Sequence, residues 1–295
     1  MRRPAVCAFV VVLAAAIAAC REGKPRPGPA APPPAPRVVS LHDVTTEIVV
    51  ALGAADRLVG IAAPTNLDQK NRDVVAAVPR VDGIESIVAR TPTVVLGAAI
   101  IEEKSPELVR YLREKGVEVW LGHPHTLDDL PRMVEAIGAR VRAPTASLLS
   151  SINLAIAAGA ADKSPPLPVF VYDCCDPAFT AGGGAVLTDL IARAGGRNVF
   201  QELPRDWARV SWEEVLARKP GLIVIHDYDY EGQGDVAKKE AELRKFARLA
   251  PVATMVMPLR FSLGGLGGLE GLVRLKAAIT ARKAALLTTH AGGRG

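Results

Sequence analysis

Val169–Phe200 reads VFVYDCCDPAFTAGGGAVLTDLIARAGGRNVF, and the plan of the chain is visible in it. Val169 to Val171 form a short apolar run that reads as a buried strand. A polar loop follows, Tyr172-Asp173-Cys174-Cys175-Asp176-Pro177. Gly182, Gly183 and Gly184 then let the backbone come close to a neighbour. Val186, Leu187, Leu190 and Ile191 fall on one face of a helix, which Gly195-Gly196 ends. Strand, polar loop and helix in this order is how open α/β domains present ligand sites, at the carboxyl ends of strands. The same plan occurs once before, at Val38–Gly53, VVSLHDVTTEIVVALG. There Thr45 or Thr46 is expected to cap the helix. The chain therefore reads as two such units whose loops face each other.

The first unit has expected strands at Val38–Leu41, Arg57–Ile61, Thr93–Leu96 and Val117–Leu121. Helices are expected at Ile84–Arg90, Pro106–Lys115 and Leu127–Val141. This alternation implies a largely parallel sheet with helices on both faces. Ala143–Ala160 is a further long helix, and Asp162-Lys163-Ser164-Pro165-Pro166 breaks it. The second unit has strands at Val169–Val171, Gly221–Ile225 and Thr254–Met257 and a closing helix at Leu269–Leu287. The expected class is α/β, with an N-terminal lobe over 37–141, a connecting helix over 142–164 and a C-terminal lobe over 165–287. The tail, 288–295, is expected to be disordered. An internal echo relates the lobes. ESIVARTPTVVL at 85–96 and EEVLARKPGLIV at 213–224 share Glu, Ala, Arg and Pro at one constant offset.

With 295 residues, 49 % of them hydrophobic, the chain is long enough for two modest domains with a real core. Its net charge of +5 sits largely in the N-terminal region and near the end, so no nucleic-acid role is inferred. Residues 1–20 read as a targeting segment: Arg2 and Arg3, then the apolar stretch Ala5–Ala16, too short for a comfortable span. Ile17-Ala18-Ala19-Cys20 resembles a bacterial lipoprotein signal, with cleavage before Cys20 and lipid on its thiol. The plainer alternative is a secretory signal with an incidental cysteine. Residues 21–36 contain seven prolines and read as a stiff extended spacer. Together these describe a domain tethered to a bilayer surface in the periplasm or at the cell surface.

RVVSLHDVTTEIVVALGAADRLVGI, FTAGGGAVLTDLIARAGGRNVF and DWARVSWEEVLARKP, in that order, resemble the periplasmic binding proteins for cobalamin and iron chelates that feed ABC importers. The resemblance covers nearly all of Arg37–Leu287. It implies two Rossmann-like α/β lobes joined by a single long helix, ligand held in the cleft between them and little movement on binding. It also implies a monomer that captures a small-molecule metal chelate and delivers it to a permease and ATPase complex. Strand-end loops should line the cleft, which selects His42, Asp43, Thr65, Asn66, Tyr172, Cys174, Cys175, Phe179, Trp207, Asp227, Tyr228 and Arg260. Trp207 matches an aromatic position that packs on the corrin ring in cobalamin binders, and stacking a flat macrocycle on indole buries a large apolar area. The alternative for Trp207 is a core residue anchoring the helix near Ser211.

Histidines add a second idea. His42, His123, His125 and His226 all follow expected strands, and convergence of His42, His123 and His226 would suit zinc, nickel or cobalt. The cobalamin pattern needs no such ligands, so they would mean either a bare metal ion or axial ligation of a haem or corrin. Cys174-Cys175 in an exported chain is either a vicinal disulfide or two free thiols. An enzyme would need a nucleophile–base constellation or a cofactor loop, and the sequence offers neither, so no enzymatic activity and no intrinsic cofactor are expected; GGLGG at 264–268 reads as a loop. The ranking is corrinoid first, siderophore or haem next, then a free transition-metal ion; FTAGGG with VSWEE also resembles proposed binders of a deazaflavin precursor.

The resemblance finally implies one exposed glutamate per lobe that engages basic pockets on the permease. Glu85 and Glu213 hold these positions in the internal echo. Asp82-x-x-Glu85 also fits a capping box, whereas Ser211-x-x-Glu214 supplies one in the second lobe and leaves Glu213 spare.

Overall fold

Two parallel four-stranded sheets are built in succession along the chain. The computed structural model describes residues 34–63, 66–158, 164–228 and 235–292. The leader, Cys20, most of the spacer and Thr65 lie outside the described residues. The first half runs β1 (Val38–Ser40), α1 (Asp43–Ala51), β2 (Leu58–Ile61), α2 (Gln69–Val74) and α3 (Gly83–Val88). It continues through β3 (Val94–Ala98), α4 (Ile100–Lys104), α5 (Pro106–Glu114), β4 (Glu118–Gly122) and α6 (Asp129–Val141). Its sheet has the order β2-β1-β3-β4. Helix α7 (Ala146–Ala158) follows. The second half runs β5 (Leu167–Tyr172), β6 (Ala178–Ala181), α8 (Val186–Arg193), β7 (Gly196–Asn198) and β8 (Trp207–Val210). It closes with α9 (Trp212–Ala217), β9 (Leu222–Asp227), α10 (Val236–Arg244), β10 (Ala253–Pro258) and α11 (Gly267–Gly292). Its sheet has the order β10-β9-β5-β7, and β6 pairs antiparallel with β8 as a separate ribbon.

Side-chain alternation explains how the layers assemble, because successive residues of a strand point to opposite faces. Val38, Val94, Leu96, Val169, Val171, Leu222 and Val224 all face one continuous core. That core also takes in Ile48 of α1, Ile137 of α6, Ile152 of α7, Leu190 of α8 and Leu275 of α11. The intervening residues face outward layers of their own. Val39 and Val95 pack with Ile87 and Leu112 of α3 and α5. Phe170, Tyr172, Ile223 and Ile225 pack with Trp212, Val215 and Leu243 of α9 and α10. Each sheet thus hides one face privately and one in a shared helical layer.

Several local details differ from expectation. His42, rather than Thr45 or Thr46, is the N-cap of α1, with its Nδ1 accepting from the Val44 N–H at 3.3 Å. Both threonines are buried: Thr45 Oγ1 lies 2.7 Å from Ser40 Oγ, and Thr46 Oγ1 donates to the same hydroxyl at 2.8 Å. These hydroxyls serve to stitch α1 to the end of β1. Arg142 takes a left-handed conformation, φ 54°, which ends α6 and delays α7 to Ala146. The closing helix runs to Gly292, so its last five residues fall in the segment expected to be disordered. Strands β6, β7 and β8 lay inside stretches read as loop and helix end. Each has only three or four residues and depends on a partner strand for its pairing.

Buried Asn198 joins the pieces of the second half. Its Nδ2 donates to the Ala181 carbonyl at 2.8 Å and to Thr188 Oγ1 at 2.7 Å, while its Oδ1 accepts from the Phe200 N–H at 3.0 Å. The triple glycine finds its close neighbour in the same chain. A Cβ at Gly182 or Gly183 would collide with the carbonyls of Arg205 and Gln201. Gly182 N donates to Asp206 O at 2.8 Å and Gly183 N to Leu203 O at 2.7 Å, so segment 201–206 lies along the glycines.

Candidate functional site

Parallel pairing delivers the carboxyl ends of β5, β9 and β10 to one edge, and a buried histidine ties them together. His226 is fully buried; its Nδ1 lies 2.7 Å from Asp173 Oδ1 and its Nε2 2.8 Å from Ser262 Oγ. Asp173 also accepts from the Tyr228 hydroxyl at 3.3 Å, and burial first, then Asp173, push the Tyr228 phenol well above its ordinary range. Lys239 donates to the His226 carbonyl at 2.7 Å and sits 4.4 Å from the Tyr228 ring centroid. Burial pushes the Lys239 ammonium down, opposed by Asp173, Asp227 and Asp235. This network is a positioned polar floor, since every member is held by at least one other.

The β6–β8 ribbon stands on that floor. Trp207 lies 5.7 Å from the His226 ring and stacks on Phe179 at 5.8 Å with 24° between the planes. Arg209, opposite Phe179 in the ladder, places its guanidinium 5.8 Å from the Phe179 ring centroid. Phe179, Trp207 and Arg209 therefore share one face of the ribbon. The two rings are half-buried and the arginine is exposed. Such a face offers flat apolar area with a cation at its edge.

Tyr172 is elsewhere. It has the strand parity of Phe170, is 2 % exposed, and stacks edge-on to Trp212 at 5.2 Å. Its hydroxyl donates to the Cys175 carbonyl at 3.2 Å, and burial, with Glu242 and Asp176, pushes its phenol up to about 12. Cys174 and Cys175 are joined as a vicinal disulfide. A cavity of about 280 Å³ beside them is lined by Tyr172, Asp176, Lys238, Lys239 and Glu242, on the α10 side of the sheet. A larger one, about 440 Å³, lies between α7 and α11 and takes its lining from those two helices.

From the first half, the loops after β1 and β4 reach the second. His42 is half-buried at the α1 N-terminus, and burial lowers its pKa against the opposing charge of Asp43. Asp43 accepts from the Asn66 N–H at 2.7 Å, so these two expected residues are brought together. One turn on, Glu47 crosses to the other half: its carboxylate accepts from the Leu266 N–H at 3.0 Å and from the Gly267 backbone. Burial pushes this carboxyl up to about 7, with Asp68 adding to the shift and the two backbone bonds and Arg260 opposing it. Arg260 stacks on Phe261 at 4.4 Å. After β4, His123 Nε2 lies 2.8 Å from Asp206 Oδ2, and His125 Nδ1 lies 3.0 Å from the Gly184 carbonyl.

The expected trio His42, His123 and His226 is not assembled. His42 caps a helix and both ring nitrogens of His226 are engaged within the floor. Among the described residues, the group of three potential metal ligands is His123, His125 and Asp206. Asp227 is exposed at the end of β9. Glu85 and Glu213 are exposed at the starts of α3 and α9. The Ser211–Glu214 capping box is present, as expected, whereas Asp82 makes no side-chain cap. Ser262 lies in the Arg260–Ser262 strand-end loop expected to line the cleft, whereas Glu47, Lys239 and Asp206 escape the sequence reading. Glu47 had a signal, a lone charge three residues from Val44 on the apolar face of α1; the others had none, because their partners are distant in sequence.

Residues 38–246 match the model of a family described as periplasmic binding protein. The vitamin B12-binding protein of Photorhabdus laumondii is 28 % identical over 195 residues, covering 64 % of this chain and 70 % of that protein. Among solved structures, a periplasmic binding protein from Veillonella parvula superposes with a TM-score of 0.71 at 22 % identity, over 82 % of this chain and 90 % of that one. The periplasmic heme-binding protein HutB of Vibrio cholerae gives a TM-score of 0.67 at 18 % identity, over 82 % and 98 %.

Glu47 generates a pH prediction. Its pKa is about 7 in the folded chain against an ordinary 4.5, so between these values the folded chain holds a proton that the unfolded chain releases. Its contribution is fully present below the lower value and is lost as pH rises through the upper one. Stability should therefore fall by up to about 3 kcal/mol from this group across that window. Urea unfolding at pH 4.5, 6 and 8 should show the slope in the parent and a flatter profile in Glu47→Gln, which keeps the acceptor but cannot ionise. An unchanged slope in the variant would assign it to other groups.

Proposed function

The chain belongs to the periplasmic binding protein family, and on that premise we propose that it captures a corrinoid and hands it to an ABC permease and its ATPase. The observation carrying this reading is the Phe179–Trp207 stack with Arg209 on the same face, set above the buried Asp173–His226–Ser262 network. A corrin ring needs broad apolar contact for its plane and cations or amide partners for its polar rim. The vitamin B12-binding relative supports corrinoid over haem or an iron siderophore as first choice. The role is binding and delivery, with no chemical step. Protein purified from its own cells should carry a corrinoid visible by absorption and mass spectrometry. In calorimetric titration, Trp207→Ala should weaken cyanocobalamin by about 2 kcal/mol, roughly thirtyfold in Kd. Haem or a ferric hydroxamate binding tightly while cyanocobalamin does not would replace the corrinoid assignment.

The exposed pair Glu85 and Glu213 is the proposed docking contact for the permease. Two carboxylates on rigid halves define a fixed span, and arginine partners would set orientation through paired charge-assisted bonds. Glu85→Ala with Glu213→Ala should abolish uptake in cells while leaving calorimetric affinity unchanged. Normal uptake would show that docking runs through other residues.

We further propose that Cys20 carries lipid and that the proline-rich segment spaces the domain from the membrane. Among the described residues no helix is long and apolar enough to cross a membrane. Cys20→Ser should move the protein from the membrane fraction to the soluble fraction; retention on the membrane would exclude the anchor.

A further inference from the structure

We propose that His123, His125 and Asp206 bind a divalent transition-metal ion that clasps the two halves of the protein at the rim of the cleft. Each residue offers one ligating atom, and the three atoms lie within 4.8 Å of one another. Two nitrogens and a carboxylate oxygen suit zinc, nickel or cobalt(II) rather than calcium or magnesium.

The three side chains come from opposite halves. His123 and His125 stand on the loop after β4, and Asp206 immediately precedes β8. That loop is anchored on both sides. Asp129 Oδ2 accepts from the backbone N–H groups of His125 at 3.1 Å and Thr126 at 2.9 Å. Leu127 N donates across the junction to Asp189 Oδ2 at 2.8 Å, and Arg193 joins Asp189 and Asp128 at 2.7 and 2.6 Å. Asp206 is held by its carbonyl, which accepts from Gly182 N at 2.8 Å. The ligands are therefore positioned before any ion arrives.

Tautomer chemistry points the same way. His125 Nδ1 faces the Gly184 carbonyl at 3.0 Å, an acceptor, so in the neutral ring this nitrogen is the one that carries the proton and Nε2 is the one left to ligate. A histidine whose second nitrogen donates to a backbone carbonyl is the usual supporting arrangement for metal ligation. His123 Nε2 and Asp206 Oδ2, 2.8 Å apart, separate only slightly to admit an ion between them. Both histidines are exposed, so a fourth position is open to water. A buried cargo cage would look different. This assignment does not depend on which chelate the cleft takes.

The test uses the full chain, freed of metal by a chelator and then dialysed, with no corrinoid present. Zinc titrated by calorimetry should bind one ion per chain, and cobalt(II) should give visible bands of a low-coordinate nitrogen–oxygen site. His123→Gln, His125→Gln and Asp206→Asn should each weaken zinc by about tenfold or more. Zinc should raise the melting temperature of the parent and not of the variants, because the ion joins two halves. These near-isosteric changes preserve shape, and circular dichroism checks the fold of each. Zinc binding by the triple variant as tight as the parent's would remove the site. Site-dependent binding without a melting shift would remove the clasp.

Discussion

A parallel sheet must hide both faces, and in this chain two sheets hide one face each in the same helical layer. Helices α1, α6, α7, α8 and α11 contribute to that layer, so the halves share apolar area instead of meeting at a wet interface. Everything at the site depends on this. The strand ends are held in fixed relation because the strands beneath them belong to one packed unit. Close packing of this kind resists gradual deformation. That fits a binder whose recognition surface is preformed.

Around that layer, specific polar contacts join the halves. Glu47 reaches the start of α11, the Asp189–Arg193–Asp128 group joins α8 to α6, and His123 meets Asp206. Each sits where a loop from one sheet crosses the end of a helix or loop from the other. Leu127 and Leu266 have their backbone N–H groups satisfied by carboxylates from the opposite half. Unsatisfied, each such group would cost about 1–3 kcal/mol. The junction is therefore specified by hydrogen bonding as well as by apolar area.

The cysteine pair and the aromatic ribbon divide the second half's loops into two environments. Tyr172 and the disulfide face α10 and its Lys238, whereas Asp173, His226 and Trp207 face the shared layer. Residues adjacent in sequence thus belong to opposite sides of one sheet. A chelate resting on Trp207 and Phe179 would meet Arg209, and the buried histidine would act through the floor beneath it.

Much of the architecture was legible in the amino-acid order. Apolar runs such as Val94–Leu96 and Leu222–Ile225, set between helical periods and turn residues, mark buried strands, and βα alternation implies parallel sheets with covered faces. The Ser211–Glu214 cap was legible because both partners lie within one turn. Side choice was not. A strand buried on both faces is apolar at every position, so nothing local distinguishes Phe170 and Tyr172 from Val169 and Val171. The sequence therefore places Tyr172 with Trp207, and three-dimensional packing separates them. Histidine convergence was equally hidden: four histidines follow strands, yet which of them meet depends on how the sheets dock. Docking leaves His42 and His226 satisfied by their own neighbours and sets His123 and His125 beside Asp206, more than eighty residues away in the chain, because the shared core brings β4 and the start of β8 to the same rim.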